Sequence, residues 1–238
     1  EKALGRDHIS TLETVNNLGI LYVNQGKLGE AEEMYQRALV GYEKALGRDH
    51  ISTLETVNNM GILYVAQVKL DEAEEMYWRA LAGYEKALGP EHTSTLETVN
   101  NLGALYVHQG KLDEAEEICR RALAGFEKAL GPDHTSTLNT VNNLGLLYVA
   151  QGKLDKADEM YRRALAGYEK ALGRDLTSTL DAVNNLGILY WKQGKLDKAE
   201  TMYRRVLAGY EKRLGLDHAR CRALRKALSS LESDITSH

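Results

Sequence analysis

Two helical patterns of apolar residues alternate along this chain, and the alternation keeps its spacing from one end to the other. From about His8 to Gln25, Leu12, Val15, Leu18, Gly19 and Tyr22 fall on one helical face, which predicts a helix A. After "QGK", Ala31, Tyr35, Ala38 and Tyr42, joined by Leu39 and Leu46, draw a second stripe and predict a helix B. In the second copy helix B should start near Asp71, where "DEAE" offers an aspartate N-cap with Glu74 at N3. Glycine after "KAL" stops helix B, and "QGK" is a second turn of that kind, since glycine tolerates the left-handed backbone. Small residues at Gly19, Ala31 and Ala38 let the two helices approach while Tyr22 and Tyr35 fill the gaps, giving an antiparallel pair.

The pair is one unit of an array. Gly5, Gly47, Gly89, Gly131, Gly173 and Gly215 stand 42 residues apart without insertion. Copies one and two differ at six positions, 18/60, 24/66, 26/68, 29/71, 36/78 and 40/82. A lone pair leaves an apolar stripe uncovered and stacked pairs do not, so the expected fold is an all-α, right-handed superhelical solenoid. Residues 1–5 match the end of a preceding helix B, 6–214 hold five units, and 215–238 form a capping helix and tail. In that tail Cys221, Leu224, Leu228, Leu231 and Ile235 make a narrow stripe among Arg220, Arg222, Arg225, Lys226 and Glu232. At the other end, the first helix A should leave an apolar edge around Leu12, a route to self-association.

Composition narrows the function. Thirty basic against 34 acidic residues give a net charge of -4, with no basic stripe for a nucleic-acid backbone. Cys119 and Cys221 lack metal-ligand spacing and are too few for a disulfide framework, which suits buried thiols in a reducing, cytoplasmic setting. No apolar run reaches the roughly 18 residues of a membrane span.

The string "NNLGILY..QGKL.EAE..Y.RAL" resembles the tetratricopeptide repeat, whose pattern falls on Leu18-Gly19, Tyr22, Ala31, Tyr35 and Ala38. The 42-residue length and the connector "YEKALGPDHTSTL.TVNNLG" are similar to the kinesin-light-chain subtype, and near-identical tandem copies also resemble the C-terminal arrays of fungal NOD-like receptors. The resemblance implies a protein-recognition scaffold without chemistry or cofactor of its own. It places peptide or protein partners in an inner groove, with a structural module that stacks between chains as the alternative. A "GxxxxGK[ST]" loop is absent, so a nucleotide-binding module would lie upstream of Glu1.

No catalytic constellation emerges. His8, His50, His92 and His134 recur one repeat apart, too far for a shared metal, and Leu176 takes that place in copy five. They read as loop caps or packing. The serine and threonine of "HTSTL" read as hydroxyl caps of helix A, and the "EAEE" starts of helix B as a solvated face suited to the helix dipole.

Comparing copies isolates the candidate site. One stripe of helix A varies: Glu13, Glu55, Glu97, Asn139 and Asp181; Ile20, Ile62, Ala104, Leu146 and Ile188; Asn24, Ala66, His108, Ala150 and Lys192. Within it sits the constant second asparagine of each pair, Asn17, Asn59, Asn101, Asn143 and Asn185. Asparagine is a mediocre helix former, so the pairs need a reason. Either the amide grips a ligand backbone or it bonds a neighbouring helix; the first asparagine, Asn16 and its equivalents, suits the structural role and the second the binding role. Acidic groups outnumber basic ones on the stripe, which favours a neutral to basic extended ligand. Val68 replaces the "QGK" glycine in copy two and should be strained if that turn needs positive φ.

Overall fold

A computed structural model describes residues 5–236, with side chains as far as Leu231. Among the described residues there are eleven α-helices and no strand. The helices A are α1 (Ile9–Asn24), α3 (Ile51–Ala66), α5 (Thr93–Gln109), α7 (Thr135–Ala150) and α9 (Thr177–Lys192). Alternating with them, the helices B are α2 (Leu28–Leu46), α4 (Leu70–Leu88), α6 (Leu112–Leu130), α8 (Leu154–Leu172) and α10 (Leu196–Leu214), followed by α11 (Ala219–Thr236). The chain divides into two compact units, Glu1–Gly125 and Phe126–His238. Residues 1–4, expected to end a helix B, lie outside the described residues, as do the side chains of Glu232 and Ile235; Gly5 has the positive φ, +90°, of the other connector glycines.

Helix A and helix B of a repeat cross at two glycines. A Cβ added to Gly19 would come 2.5 Å from the Tyr35 ring, and one added to Gly41 would enter the Leu12 side chain. The same two crossings recur in the first unit at Gly61 with Tyr77 and Gly83 with Leu54, and in the second at Gly145 with Tyr161 and Gly167 with Leu138. Beyond its own repeat Tyr35 packs on the next one: Ala31 and Tyr35 form one buried cluster with Met60 and Leu63 of α3. Each such side chain contributes roughly 1.5–3 kcal/mol on full burial. The corresponding residues of α1, Leu18 and Leu21, are 37% and 48% exposed. The apolar edge of α1 therefore lies there and not at Leu12, which is 1% exposed because it turns toward Ala38 and Tyr42 of its own helix B.

Three expectations about helix ends need correction. Helix B of copy two starts at Leu70 with Lys69 as N-cap and no side-chain cap bond, so Asp71 lies in the first turn and acts only through the helix dipole. Helix A is capped by histidine: Nδ1 of His8, His50, His92 and His134 accepts the backbone N–H two residues on, each at 3.2 Å. The hydroxyls point the other way. Thr53 Oγ1 donates to the Gly47 carbonyl at 2.8 Å and Thr95 to that of Gly89 at 2.8 Å, tying the start of one repeat to the end of the last. Leu176 leaves α9 without a side-chain cap. The connector glycines do have positive φ, but Gly47 pairs φ 94° with ψ 167°, an extended backbone open to glycine and not a left-handed turn. The "QGK" turn is left-handed at Gly110, φ 75° and ψ 9°, and Val68 is held at φ 61°.

Candidate functional site

The variable stripe lies on the surface of both units. In the first, Glu13, Glu55 and Glu97 are exposed, as are Asn24, Ala66 and His108, while Ile20 and Ile62 keep 38% and 41% of their surface. Asn17 is exposed, and Asn59, Asn101 and Ala104 are half-buried. In the second unit Asn139, Ala150 and Lys192 are exposed, Leu146 and Ile188 each keep 36%, and Asn143, Asn185 and Asp181 are half-buried. Isoleucine or leucine at this position thus keeps more than a third of its surface exposed.

The two asparagines of a pair are not separate in role. Asn59 Nδ2 points at Asn16 Oδ1 at 3.5 Å, Asn101 Nδ2 at Asn58 Oδ1 at 3.4 Å, and Asn185 Nδ2 at Asn142 Oδ1 at 3.0 Å. The second asparagine of one repeat donates to the first asparagine of the repeat before it. Thr98 Oγ1 adds a second bond to Asn58 Oδ1 at 3.2 Å. The first asparagine is accordingly the more buried where burial is greatest, Asn16 at 5%. Asn59, Asn101 and Asn185 thus each spend an Nδ2 donor on the repeat before them.

Helix B reaches the stripe through a tyrosine that sequence reasoning treated only as core. Tyr168 Oη donates to Asn139 Oδ1 and Tyr210 Oη to Asp181 Oδ1, each 29 positions apart. Burial and then the Asp181 carboxylate push the Tyr210 hydroxyl up to about 12, so it stays a donor. The signal was present as the recurrence of Tyr42, Tyr84, Tyr168 and Tyr210 at one register position, with Phe126 as the exception.

The "EAEE" glutamates are only partly solvated. Glu74 of α4 accepts from Tyr106 Oη at 3.0 Å, Gln109 Nε2 at 2.9 Å and Lys111 Nζ at 2.9 Å, all from the following repeat. Burial alone would raise its pKa, but these donors outweigh it and hold the carboxyl below its ordinary range. A second ladder joins successive helices B: Arg79 to Glu43 and Arg121 to Glu85 in the first unit, Arg163 to Glu127 and Arg205 to Glu169 in the second. Cys119 and Cys221 are both buried, and burial pushes the Cys119 thiol up to about 12. Among the described residues no three His, Cys, Asp or Glu side chains gather as a metal site, and no helix is long and apolar enough to cross a membrane.

No curated protein matches this chain. Among solved structures it resembles BtubC (BKLC) from P. vanneervenii, at 25% identity and a TM-score of 0.69 over 86% of this chain and 81% of that one. It also resembles the nearly identical TPR-like repeats of a Podosopora anserina protein assigned to the kinesin light chains, at 27% identity and a TM-score of 0.66 over 86% and 97%. A Rap protein complexed with competence and sporulation factor shares the fold, with a TM-score of 0.73 at 17% identity over 92% of this chain and 64% of that one. A family model described as tetratricopeptide repeat matches residues 10–86, 53–112, 94–170 and 140–212. Glycine crossings, stacked helix pairs and a match that runs through nearly the whole described chain lead to one assignment: this protein belongs to the tetratricopeptide-repeat family.

Proposed function

We propose that the array is a scaffold that holds an extended peptide, or an extended segment of a partner protein, along the variable face of its helices A. One observation carries the reading: Ile20 and Ile62 in the first unit, and Leu146 and Ile188 in the second, each keep more than a third of their surface exposed at one register position of helix A. Beside them the Oδ1 of Asn59 and Asn101 suits a backbone N–H, while Glu55 and Glu97 favour a ligand that is neutral to basic. His108 and Lys192 vary the charge at the far end of the stripe. Selection of random peptides on the immobilised chain tests the reading. Enriched peptides should lose about tenfold or more in affinity for Ile62→Asp and Leu146→Asp, with helicity retained. Failure to enrich any peptide, or enrichment indifferent to both changes, overturns it.

The kinesin-light-chain likeness of the repeats and the near-identity of their copies fit the recognition region of a fungal NOD-like receptor. A nucleotide-binding module encoded upstream would support that setting, and an unrelated upstream sequence would refute it. A second reading has its own observation, the exposed Leu18 and Leu21 of α1: self-association through that edge. Sedimentation over a wide concentration range decides it, and a mass independent of concentration is the result against it.

A further inference from the structure

The asparagine ladder stops at Asn184. In the array the first asparagine of a pair receives donors from the next helix A, as Asn58 does from Thr98 and Asn101 and as Asn142 does from Asn185. The helix that follows α9 in this register is α11, and there the two donor positions are Leu224 and Ala227. Neither side chain can donate. Asn184 therefore keeps a free amide, and it lines a cleft of 460 Å³ between α9, α10 and α11.

The cleft exists because α11 carries small residues where a helix A carries larger ones: Ala223 where α9 has Asp181, Ala227 where it has Asn185. Its floor is apolar, from Ile188, Tyr203 and Leu224. A neighbouring chamber of 310 Å³ shares Ile188, Tyr203 and Ala227 and extends the cleft to Trp191, which is 52% exposed. At the other end Arg220 lies 3.5 Å from Asp181 and donates to Tyr210 Oη at 3.2 Å, so the two charges at the mouth cancel. Of the exposed apolar positions on the stripe, Ile188 lines this space.

We infer that this cleft is an anchoring subsite for one aromatic side chain of a bound peptide, flanked by uncharged residues, with the backbone amide of that residue paired to Asn184. A free primary amide offers one acceptor and donors side by side, which matches the N–H and C=O of a peptide group. The aromatic walls Tyr203 and Trp191 suit a flat ring better than an aliphatic chain. The cancelled Asp181 and Arg220 pair gives no reward for a charged neighbour. The inference rests on the scaffold reading above and deepens it.

The probe is N-acetyl-phenylalaninamide, titrated into the full 15N-labelled chain and followed by NMR. Its signals should move at the Trp191 indole and the Asn184 side-chain amide, and N-acetyl-alaninamide should leave both in place. Ala227→Asn restores the residue that the other copies carry, gives Asn184 its donor and fills the cleft without a foreign side chain. It should weaken the probe about tenfold. Shifts centred elsewhere, no shift at all, or equal affinity for Ala227→Asn overturn the subsite. Benzyl alcohol supplies a ring without amides, and binding as tight as the probe's would refute the pairing to Asn184. If peptides selected on the array bind Ala227→Asn undiminished, the subsite falls while the scaffold reading stands. If no peptide is selected, the scaffold reading falls and the probe titration still judges the cleft.

Discussion

Where helix A crosses its own helix B, two contacts recur: a glycine against a leucine in all five repeats, and a glycine against a tyrosine ring in four, with Cys119 in place of the tyrosine at Gly103. A few residues away on the same helix, the outer stripe passes from glutamate to asparagine to aspartate and from isoleucine to alanine to leucine. The difference is one of room. At the crossing an added methyl has nowhere to go, so helix A keeps its glycine whether tyrosine or Cys119 faces it. On the stripe much of each side chain faces solvent, and its identity varies from copy to copy. The asparagine pairs sit on the boundary, the second amide of one repeat donating to the first of the repeat before it.

The contrast is sharpest if a bulky residue is placed on each side of it. Gly145→Val should cost about 3 kcal/mol, since its Cβ alone would lie 2.5 Å from the Tyr161 ring, whereas Ala150→Val on the stripe should change stability by less than about 0.5 kcal/mol. Urea denaturation of the two variants reads the difference, and equal midpoints would break the comparison. The boundary residues come next. Asn185→Ala removes the 3.0 Å bond and leaves Asn142 Oδ1 without that donor, a loss of about 1–1.5 kcal/mol, while Asn17→Ala in the first copy should be near neutral. A stable Asn185→Ala would mean that the amide serves a ligand alone.

The turns provide a third test. Val68 at φ 61° occupies a site that is glycine in the other copies, so Val68→Gly should stabilise by about 1 kcal/mol and Gly152→Val, at φ +73°, should destabilise by a similar amount. Melting temperatures that move in the same direction for both would refute strain at this turn. A smaller gain is expected from Leu176→His, which gives α9 the cap that four other helices A possess; about 0.5–1 kcal/mol would appear as a higher melting temperature. The smallest effect is that of acid. The Glu74 carboxyl is held low by its three donors, so its contribution is present above the ordinary carboxylate pKa of about 4.3 and is lost as pH falls through the lower folded value. Glu74→Gln should flatten that part of the stability profile, and an unchanged acid limb would show that the contact carries no linkage.

Much of this was legible in the residues. Helix bounds followed from apolar spacing and from the glycines, and α1 runs from Ile9 to Asn24 against an expected His8 to Gln25. The buried thiols and the exposed stripe followed too, because both depend on which face of a helix a residue occupies. Hydrogen-bond direction did not. The hydroxyls of "HTSTL" were expected to cap amides, and Thr95 donates instead to the carbonyl of Gly89, as Thr53 does to that of Gly47. A hydroxyl can do either, and only the position of the preceding helix B chooses.

By itself the sequence determined the repeat, the all-helical pairing and the side of each helix that packs, since period and side-chain size are local quantities. Tertiary structure alone decided that the edge of α1 is Leu18 and Leu21 and not Leu12, that Asn59 reaches back to Asn16, and that Asn184 looks into a cleft. Each of these depends on what a neighbouring helix, dozens of residues away in sequence, brings to within a few ångströms, and that is set by how helix pairs stack and not by any spacing within one pair.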